Sequence, residues 1–272
     1  MTPERPMLRY HGGKWRLAPW IIEHLPPHRV YVEPFGGAAS VLLRKPLADA
    51  EIYNDLDGEI VNVFRVARDR GDELVRALEL TPFAREEFDL SYAPADDPVE
   101  QARRTVLRSF MGFGTNTSKR TSSGNIARTG FRAKSTRSYT TPAQDWRNYP
   151  AKLRRLIDRL QGVIIEHRDA QQVMAAHDSE HTVHYVDPPY VNVTRDHGSD
   201  YRHELTDADH VALADQLHRL RGAVVLSGYA SGLYDDLYSD WQRVARNAYA
   251  DGARPRVEVL WLSPGARRGL FS

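Results

Sequence analysis

The sequence predicts an α/β fold built on an open sheet with helices on both faces. Short apolar segments with strand propensity alternate with amphipathic helical segments in the first 71 residues, and the alternation returns after residue 160. The residues in between break it, which predicts an insertion into the sheet domain. With 272 residues the chain can bury the core of such a domain. Sheets of this kind bind ligands beyond the carboxyl ends of their strands, so the residues that follow each strand are the first candidates for a site.

The first 71 residues contain two predicted strands and three helical segments. An amphipathic helix over residues 15–25 precedes a strand at 29–35, after which residues 39–43 are expected to open a second helix. A second strand at 51–54 leads into a helix over 57–70, whose apolar residues recur at helical spacing. This succession is typical of a parallel sheet with crossover helices.

Five further strand candidates follow residue 160 and bring the predicted sheet to seven strands. The first three are short and rich in valine and isoleucine, as expected of buried parallel strands, and a helix is predicted over 207–220. The five candidates occupy residues 163–165, 183–186, 223–226, 242–245 and 256–262. We therefore predict a sheet domain formed by residues 1–71 and 161–272, and an inserted lobe of helices and loops formed by residues 72–160.

The inserted segment is strongly basic, although the chain has a formal net charge of only +1. Residues 101–144 contain nine Lys or Arg and no Asp or Glu, interleaved with Phe110, Phe113, Phe131 and Tyr139. Cations neutralise phosphates and aromatic rings stack on bases, so this composition favours a nucleic acid as partner over a solvated charged loop. The predicted contacts are Arg108, Lys119, Arg120, Arg128, Arg132, Lys134 and Arg137.

Composition also excludes several classes of site. The chain has no Cys, which removes disulfides, cysteine-ligated zinc and thiol nucleophiles, and which is compatible with a reducing cytosol. His177, His181 and His184 lack a ligand spacing with carboxylates, so we expect no metal site. The first residues show no apolar signal core and no long apolar run occurs, so we expect a cytoplasmic protein without a membrane partner.

The strongest motif is Asp187-Pro188-Pro189-Tyr190, placed directly after the strand at 183–186. Two prolines cannot continue a sheet ladder, so they stiffen a turn at the edge where such sheets present their sites. The amino group of a nucleobase is a poor nucleophile, because its lone pair is delocalised into the ring. A carboxylate and a backbone carbonyl that accept its two N–H bonds would return electron density to nitrogen, while an aromatic face holds the base. A proline-rich turn with a capping Asp and a packing Tyr is the alternative interpretation.

Three weaker motifs precede it. Residues 33–40, Glu-Pro-Phe-Gly-Gly-Ala-Ala-Ser, form a small-residue turn between a strand and a predicted helix, and such a turn lets a ligand approach the backbone. Asp55 ends the next strand, where an acid accepts ribose hydroxyls or caps a helix. Tyr10-His11-Gly12-Gly13-Lys14 offers a ring and a cation for a carboxylate, although a glycine turn with a solvated lysine fits equally well.

Together these segments, in this order, resemble the alpha-class, Dam-like N6-adenine DNA methyltransferases of the D12 class. The stretches at 108–114, 225–229 and 257–262 are most similar to the phage-borne members. The resemblance covers most of the chain. It implies a Rossmann-like, mixed seven-stranded methyltransferase sheet with an inserted DNA-recognition lobe, S-adenosyl-L-methionine as methyl donor, and double-stranded DNA with a flipped adenine as substrate. A monomer is expected.

Carried over by position, the resemblance implies roles for individual residues. Asp187, Pro188, Pro189 and Tyr190 would hold the target base. The cofactor contacts would be Tyr10, Lys14, Glu33, Phe35, Gly37, Asp55, Asp169 and Asp187. Two positions depart from the family pattern, since many relatives have Gly in place of Ala39 and some have Trp in place of Tyr10, which puts affinity in doubt more than function.

Other functions stay open at this point. N4-cytosine methylation uses the same chemistry, and methylation of RNA or of a protein amide more often shows Asn at the position of Asp187. A DNA-binding relative that has lost catalysis is a further alternative, but the intact Lys14, Asp55, Asp187 and Tyr190 argue against it. The target sequence, a cognate restriction enzyme and the biological role are not determined by the sequence.

Overall fold

The structure is a computed structural model that describes residues 3–113, 126–133, 141–191, 203–249 and 255–268. Within these ranges the chain forms one seven-stranded sheet of order β3-β2-β1-β4-β5-β7-β6. The strands are β1 (Val30–Glu33), β2 (Ala50–Asn54), β3 (Val163–Glu166), β4 (Thr182–Val186), β5 (Ala223–Tyr229), β6 (Gln242–Tyr249) and β7 (Pro255–Leu262). The predicted mixed α/β sheet is confirmed.

The sheet is parallel from β3 to β5, and β7 enters between β5 and β6 antiparallel to both. The chain passes from β1 to β2 on one side, whereas β4 pairs with β1 on the other side. The carboxyl ends of β1 and β4 therefore diverge at a topological switch point, where sheets of this type open a crevice.

Eleven helices surround the sheet in the described part of the chain. They are α1 (Ala18–Ile22), α2 (Gly58–Asp69), α3 (Gly71–Glu79), α4 (Arg85–Leu90), α5 (Pro98–Met111), α6 (Pro142–Arg147), α7 (Tyr149–Leu160), α8 (Ala170–Ala176), α9 (Asp207–Leu217), α10 (Gly232–Leu237) and α11 (Pro264–Arg268). Side-chain caps fix several starts. Asp57 caps α2 through the Glu59 amide, and Thr206 forms a capping box with Asp209 at α9.

The prediction that a helix opens at residues 39–43 is wrong. These residues form successive turns, in which the Leu43 amide donates to the Ala39 carbonyl at 3.0 Å without a continuing ladder. Ala39 has a φ of 51°, in the left-handed region that a right-handed helix excludes. The predicted helix at 15–25 is also shorter, because only Ala18–Ile22 is helical.

Alternate residues of the central strands feed cores on opposite faces. On β1, Tyr31 joins the large cluster that contains α2, while Val32 joins Ile52 and Val173 on the other face. A third cluster packs α9 and α10 against β5 and β7. Helices therefore cover both faces, which makes the central strands apolar on both sides.

The helices between residues 72 and 160 share the large core with the sheet. Their buried residues include Leu74, Val106 and Leu153, in the same cluster as Phe64 of α2. Arg159 also ties α7 to β2 through Glu51, with Nη1 and Oε2 2.5 Å apart. The division of the chain at residues 72 and 160 stays a prediction. The helices between these residues pack against the sheet domain and share its core.

Candidate functional site

An open pocket lies beyond the carboxyl ends of β1, β2 and β4. It collects segments that are far apart in sequence, since each follows a different strand or precedes the sheet. Of the predicted site residues, Tyr10, Lys14, Glu33, Phe35, Gly37, Asp55, Asp187 and Pro189 line it. The switch point of the sheet thus coincides with the motifs.

The turn after β1 forms the floor of this pocket because its glycines have no side chain. A Cβ on Gly36 would lie 2.1 Å from Cε2 of the buried Tyr53, and one on Gly37 would lie 2.9 Å from Cε1 of Tyr10. Gly37 also has a φ of 47°. The Tyr53 hydroxyl donates to the Gly37 carbonyl at 2.8 Å, which fixes the turn from below. The close packing leaves bare backbone facing the pocket.

Asp55 holds the other side of that turn. Its Oδ2 accepts the Gly37 amide at 2.8 Å, and its Oδ1 accepts the Asp57 amide at 2.7 Å. Burial raises the pKa of Asp55 to about 6, and the two amide bonds oppose this rise. The carboxylate is thus an oriented acceptor at the pocket wall, with lone pairs left for hydroxyl groups of a ligand.

Glu33, the last residue of β1, is a buried carboxyl group. Its Oε2 accepts the Tyr31 hydroxyl at 2.7 Å and the Leu42 amide at 2.9 Å. Burial, with a smaller contribution from the charge of Asp187, raises the pKa of Glu33 to about 8, against the opposing effect of the hydrogen bonds from Tyr31 and Leu42. Near neutral pH this side chain therefore holds a proton in the unliganded protein.

Asp187 lies at the start of the turn after β4, and both of its oxygens are engaged. Oδ1 accepts the Ser227 hydroxyl at 2.7 Å, and Oδ2 lies 3.1 Å from Nζ of Lys14. The Ser227 Oγ is also 3.1 Å from the Tyr185 hydroxyl. Because Ser227 donates to Asp187, the Tyr185 hydroxyl donates to Ser227, and the chain of donors ends on the carboxylate.

Lys14 is 6% exposed and links the glycine turn near the N-terminus to the Asp187 turn. Its Nζ donates to the Gly12 carbonyl at 2.8 Å and lies 4.7 Å from the centroid of the Tyr190 ring. An ammonium group thus sits between a carboxylate and an aromatic face. The carboxylate and the ring that surround this ammonium group could equally surround an amino group on a base, which also donates N–H bonds.

Tyr190 is held from two further directions. Its hydroxyl donates to Oε2 of Glu258 on β7 at 3.0 Å, and its ring meets that of Tyr229 edge-on with centroids 4.7 Å apart. Glu258 and Tyr185 were not among the sequence predictions. The stretch that contains Glu258 is visible in the sequence, but its position opposite Tyr190 depends on the place of β7 in the sheet.

Asp169 is not brought into the pocket. It caps α8 and accepts the amides of Gln171 and Gln172 at 3.0 and 3.2 Å, with an exposed side chain. The next residue, Ala170, lines the pocket instead. A contact between Asp169 and a ligand stays a prediction that this geometry does not favour.

The structure corrects the prediction that Arg108 contacts nucleic acid. It is 2% exposed, and its guanidinium pairs with Glu59 and donates to the Ser91 carbonyl, so it stabilises helix packing and cannot reach a phosphate. Of the other predicted contacts, Arg128 is exposed and Arg132 is half-buried. Lys119, Arg120, Lys134 and Arg137 lie outside the described residues.

Acidic residues from neighbouring segments partly neutralise the basic segment. Arg103 and Arg104 both pair with Glu100 at 2.6 Å, one position before the acid-free stretch begins. Two of its rings, Phe110 and Phe131, pack into the core, whereas Phe113 is 71% exposed. Within the described ranges, no group of three possible metal-ligating side chains is found, and no helix is long and apolar enough to cross a membrane.

Comparison with known proteins gives one family. The model of the D12 class N6 adenine-specific DNA methyltransferases matches residues 10–250. A DNA adenine methylase of Salmonella typhi is 27% identical over 260 residues, 88% of this chain and 85% of that protein. One of Serratia marcescens is 34% identical over 112 residues, which span 39% of this chain and 41% of that protein. The type II methyltransferase M1.LlaDCHI of Lactococcus lactis subsp. cremoris is 26% identical over 87% of this chain and 85% of its own length.

Proposed function

The chain belongs to the D12 class of N6 adenine-specific DNA methyltransferases, and we propose that it transfers the methyl group of S-adenosyl-L-methionine to N6 of an adenine flipped out of DNA. The observation that carries this proposal is Asp187, an oriented carboxylate whose partner in the free protein is an ammonium group beside an aromatic ring. Family membership gives methyl transfer to adenine in DNA, and the geometry supports the assignment of roles.

The pocket fits the donor on the evidence of its own shape and chemistry. The cradle at Gly37 is one that a Cβ would fill, Asp55 offers oriented lone pairs for the ribose hydroxyls, and Lys14 offers a cation for the methionine carboxylate. Glu33 lies at the wall beside Asp187, where a sulfonium would favour its ionised form. When bound, S-adenosyl-L-methionine supplies an activated methyl group, and the chain supplies the remaining requirements.

Asp187 and the carbonyl of Pro188 are the proposed acceptors for the two N–H bonds of the target amino group. By accepting these bonds they localise the nitrogen lone pair and stabilise the positive charge that develops on nitrogen as the methyl group arrives. Tyr190 holds the base by stacking, and Pro189 keeps the turn rigid. Ser227 keeps the carboxylate oriented through its bond to Oδ1.

Lys14 must leave Oδ2 of Asp187 before the amino group can occupy it, because both need the same acceptor. The methionine carboxylate of the donor offers Lys14 an alternative partner. Binding of the donor would therefore prepare the acceptor for the base. This exchange makes donor binding and base binding mutually favourable.

We further propose that cations of residues 101–144, with the exposed Arg128 and the half-buried Arg132 among them, contact the DNA backbone. The segment between residues 72 and 160 then serves target recognition, and residues 1–71 and 161–272 serve catalysis. The support for this proposal is the excess of cations in residues 101–144 together with membership of a DNA-modifying family.

The test is methyl transfer from tritiated S-adenosyl-L-methionine to unmethylated duplex DNA, followed by nucleoside analysis. N6-methyladenine is the expected product. N4-methylcytosine as the sole product, or no transfer by a folded protein that binds the donor, would contradict the proposal. Sequencing of modified bases in DNA from a methylation-free host that expresses the protein would give the target site.

A further inference from the structure

We propose that Glu258 is a positioning residue for the target base, which holds the Tyr190 ring beside Asp187 by accepting the hydrogen bond of its hydroxyl. This inference rests on the proposed function, since it assigns Tyr190 to the base. It adds to that function a residue from the antiparallel end of the sheet, far from the motifs that carry the chemistry.

The register of β5 and β7 brings Glu258 to this position. Tyr229 lies opposite Glu258, and Ser227 lies opposite Leu260. Directly opposed residues, and residues two apart on one strand, point to the same face of a sheet. Ser227, Tyr229 and Glu258 therefore share one face, and all three contact the turn after β4.

These three contacts divide the work of holding the turn. Ser227 binds Oδ1 of Asp187 at 2.7 Å, Tyr229 meets the Tyr190 ring edge-on, and Glu258 accepts the Tyr190 hydroxyl at 3.0 Å. The hydrogen-bond acceptor and the stacking surface of the proposed base site are thus fixed by the same strand pair. Their relative position is set by the sheet instead of by the turn alone.

The burial of Glu258 lowers the stability of the fold unless its partners compensate, so a purely structural role does not explain it. It is 7% exposed and precedes the buried run Val259–Leu262 on β7. Burial raises the pKa of its carboxyl, while the charge of Lys14 lowers it. A buried ionisable group in an apolar strand costs stability unless its partners compensate. Its partners here are the hydroxyl of Tyr190 and the charge of Lys14, which both belong to the proposed site.

The orientation of the ring matters because stacking and amino-group acceptance must occur together. Without its bond to Glu258, the Tyr190 ring would keep its packing against Tyr229 but lose the restraint at its far end. Small errors in the placement of reacting groups reduce rate strongly. The expected loss therefore falls on kcat more than on binding of the donor.

The experiment is a double-mutant cycle in the full chain. Glu258→Ala and Tyr190→Phe should each lower kcat for DNA methylation by about tenfold, with the Kd for S-adenosyl-L-methionine changed by less than about twofold. The double variant should lose no more than either single variant, because both changes remove the same bond. Glu258→Gln, whose amide oxygen still accepts the hydroxyl, should recover most of the lost kcat.

Tyr149→Phe is the matched control. It also deletes a buried hydroxyl, which donates to the Met7 carbonyl at 2.7 Å outside the site, and it should leave kcat unchanged. Additive losses in the double variant, normal kcat for Glu258→Ala, or a Glu258→Gln variant as slow as Glu258→Ala would each overturn the inference. If Glu258→Ala does not fold, Tyr190→Phe and Glu258→Gln still complete the comparison. A wild-type protein that forms no N6-methyladenine would overturn the proposed function and this inference with it.

Discussion

Three carboxyl groups around one pocket have different surroundings, and these surroundings give them different chemistry. Glu33 is buried with neutral donors, and its pKa is raised to about 8. Asp55 is held by two backbone amides, which oppose the effect of burial. Asp187 is paired with Lys14 and Ser227. The first carboxyl group is thus held protonated, the second is placed to accept hydrogen bonds from hydroxyl groups, and the third is placed to accept them from an amino group.

At Asp187 we expect the largest loss of activity. Asp187→Ala removes the proposed acceptor for the target amino group and should lower turnover by about 10²- to 10³-fold. Asp187→Asn keeps the shape and one acceptor, so it should retain more activity than Ala yet stay far below the parent. Tritiated methyl transfer gives the rates.

The control for the Asp187 variants is stability, because Asp187→Ala also leaves the buried Lys14 without its carboxylate partner. Thermal unfolding and donor binding therefore accompany the rates. Near-normal turnover by folded Asp187→Ala would contradict the proposed mechanism.

At Glu33 we expect a pH-dependent stability. The carboxyl has a pKa of 4.5 in the unfolded chain and about 8 in the folded protein. Between these values the folded state holds one more proton, so this group makes the free energy of unfolding fall as pH rises, by at most about 1.4 kcal/mol per pH unit. Glu33→Gln should remove this contribution and become progressively more stable than the parent from pH 5 to pH 8.

Urea unfolding of the unliganded parent and of Glu33→Gln at several pH values measures this difference. Asp55 and other groups titrate in the same range, but they are present in both proteins and cancel in the comparison. Parallel stability curves for the two proteins would show that Glu33 is ionised in the folded state.

At the scale of elements, the site depends on turns that end strands. The turn after β1 contains Gly36, Gly37 and Ala39, of which the last two have positive φ values of 47° and 51°. The turn after β4 contains two prolines, which remove two backbone donors and fix the backbone angle φ. The turn after β1 packs closely against neighbouring rings because its glycines have no side chains. The turn after β4 is rigid because its two prolines are cyclic.

Substitutions at the two glycines should have separable effects. Gly36→Ala places a Cβ 2.1 Å from the ring of Tyr53, which is buried, stacked on Phe64 and bound to the turn, so the fold should lose about 1–3 kcal/mol or more. Gly37→Ala strains the backbone at a φ of 47°, which costs about 1–2 kcal/mol, and meets Tyr10, a half-buried ring that lines the pocket, so donor affinity should fall in addition to stability.

Gly232→Ala is the matched control for these two variants, since a Cβ there meets nothing within 4 Å. It should leave stability and donor affinity essentially unchanged. Calorimetry with S-adenosyl-L-methionine and thermal unfolding separate the two effects. Equal loss of donor affinity in all three variants would contradict the role of the turn.

At the scale of the whole molecule, charge is distributed unevenly between surface and interior. The acid-free stretch 101–144 begins inside α5, where Arg103, Arg104 and Arg108 pair with acids that precede the stretch. These three of the nine cations are therefore engaged within the protein. A count along the sequence overstates the exposed charge of this region.

DNA affinity should depend steeply on salt, and cations beyond α5 should set the slope. Joint replacement of Arg120, Arg132 and Arg137 by Ala should flatten the plot of log affinity against log salt by about 0.9 for each lost phosphate contact. Donor affinity should not change. Fluorescence anisotropy with a labelled duplex at increasing salt measures the slope.

Arg29 and Arg221 serve as the control, because both are exposed, lie outside residues 72–160, and pair with Asp49 and Glu180. Their replacement by Ala should leave the slope as in the parent. An unchanged slope in the triple variant would exclude these cations from the DNA-binding surface.

The sequence by itself determined the strands, their motifs and the family. Periodicity and turn residues are local properties, so they predict where β1 or β4 ends and which residues follow. It also placed Asp55 and Asp187 at one site, because carboxyl ends of parallel strands share an edge, whereas Lys14 was assigned to that site only by the resemblance to the family. The helix predicted to open at residues 39–43 is wrong because Ala39 adopts a left-handed backbone conformation. Alanine rarely adopts this conformation, so the local sequence does not predict it.

Only the tertiary structure decided which side chains face one another. Glu258 reaches Tyr190 because β7 enters the sheet antiparallel beside β5, and no local pattern fixes that register. Arg108 is buried because Glu59 of α2 meets it across the core, although its own sequence neighbours suggest an exposed cation. Burial and charge pairing depend on elements that are distant in sequence, so they appear only when the helices and the sheet pack together.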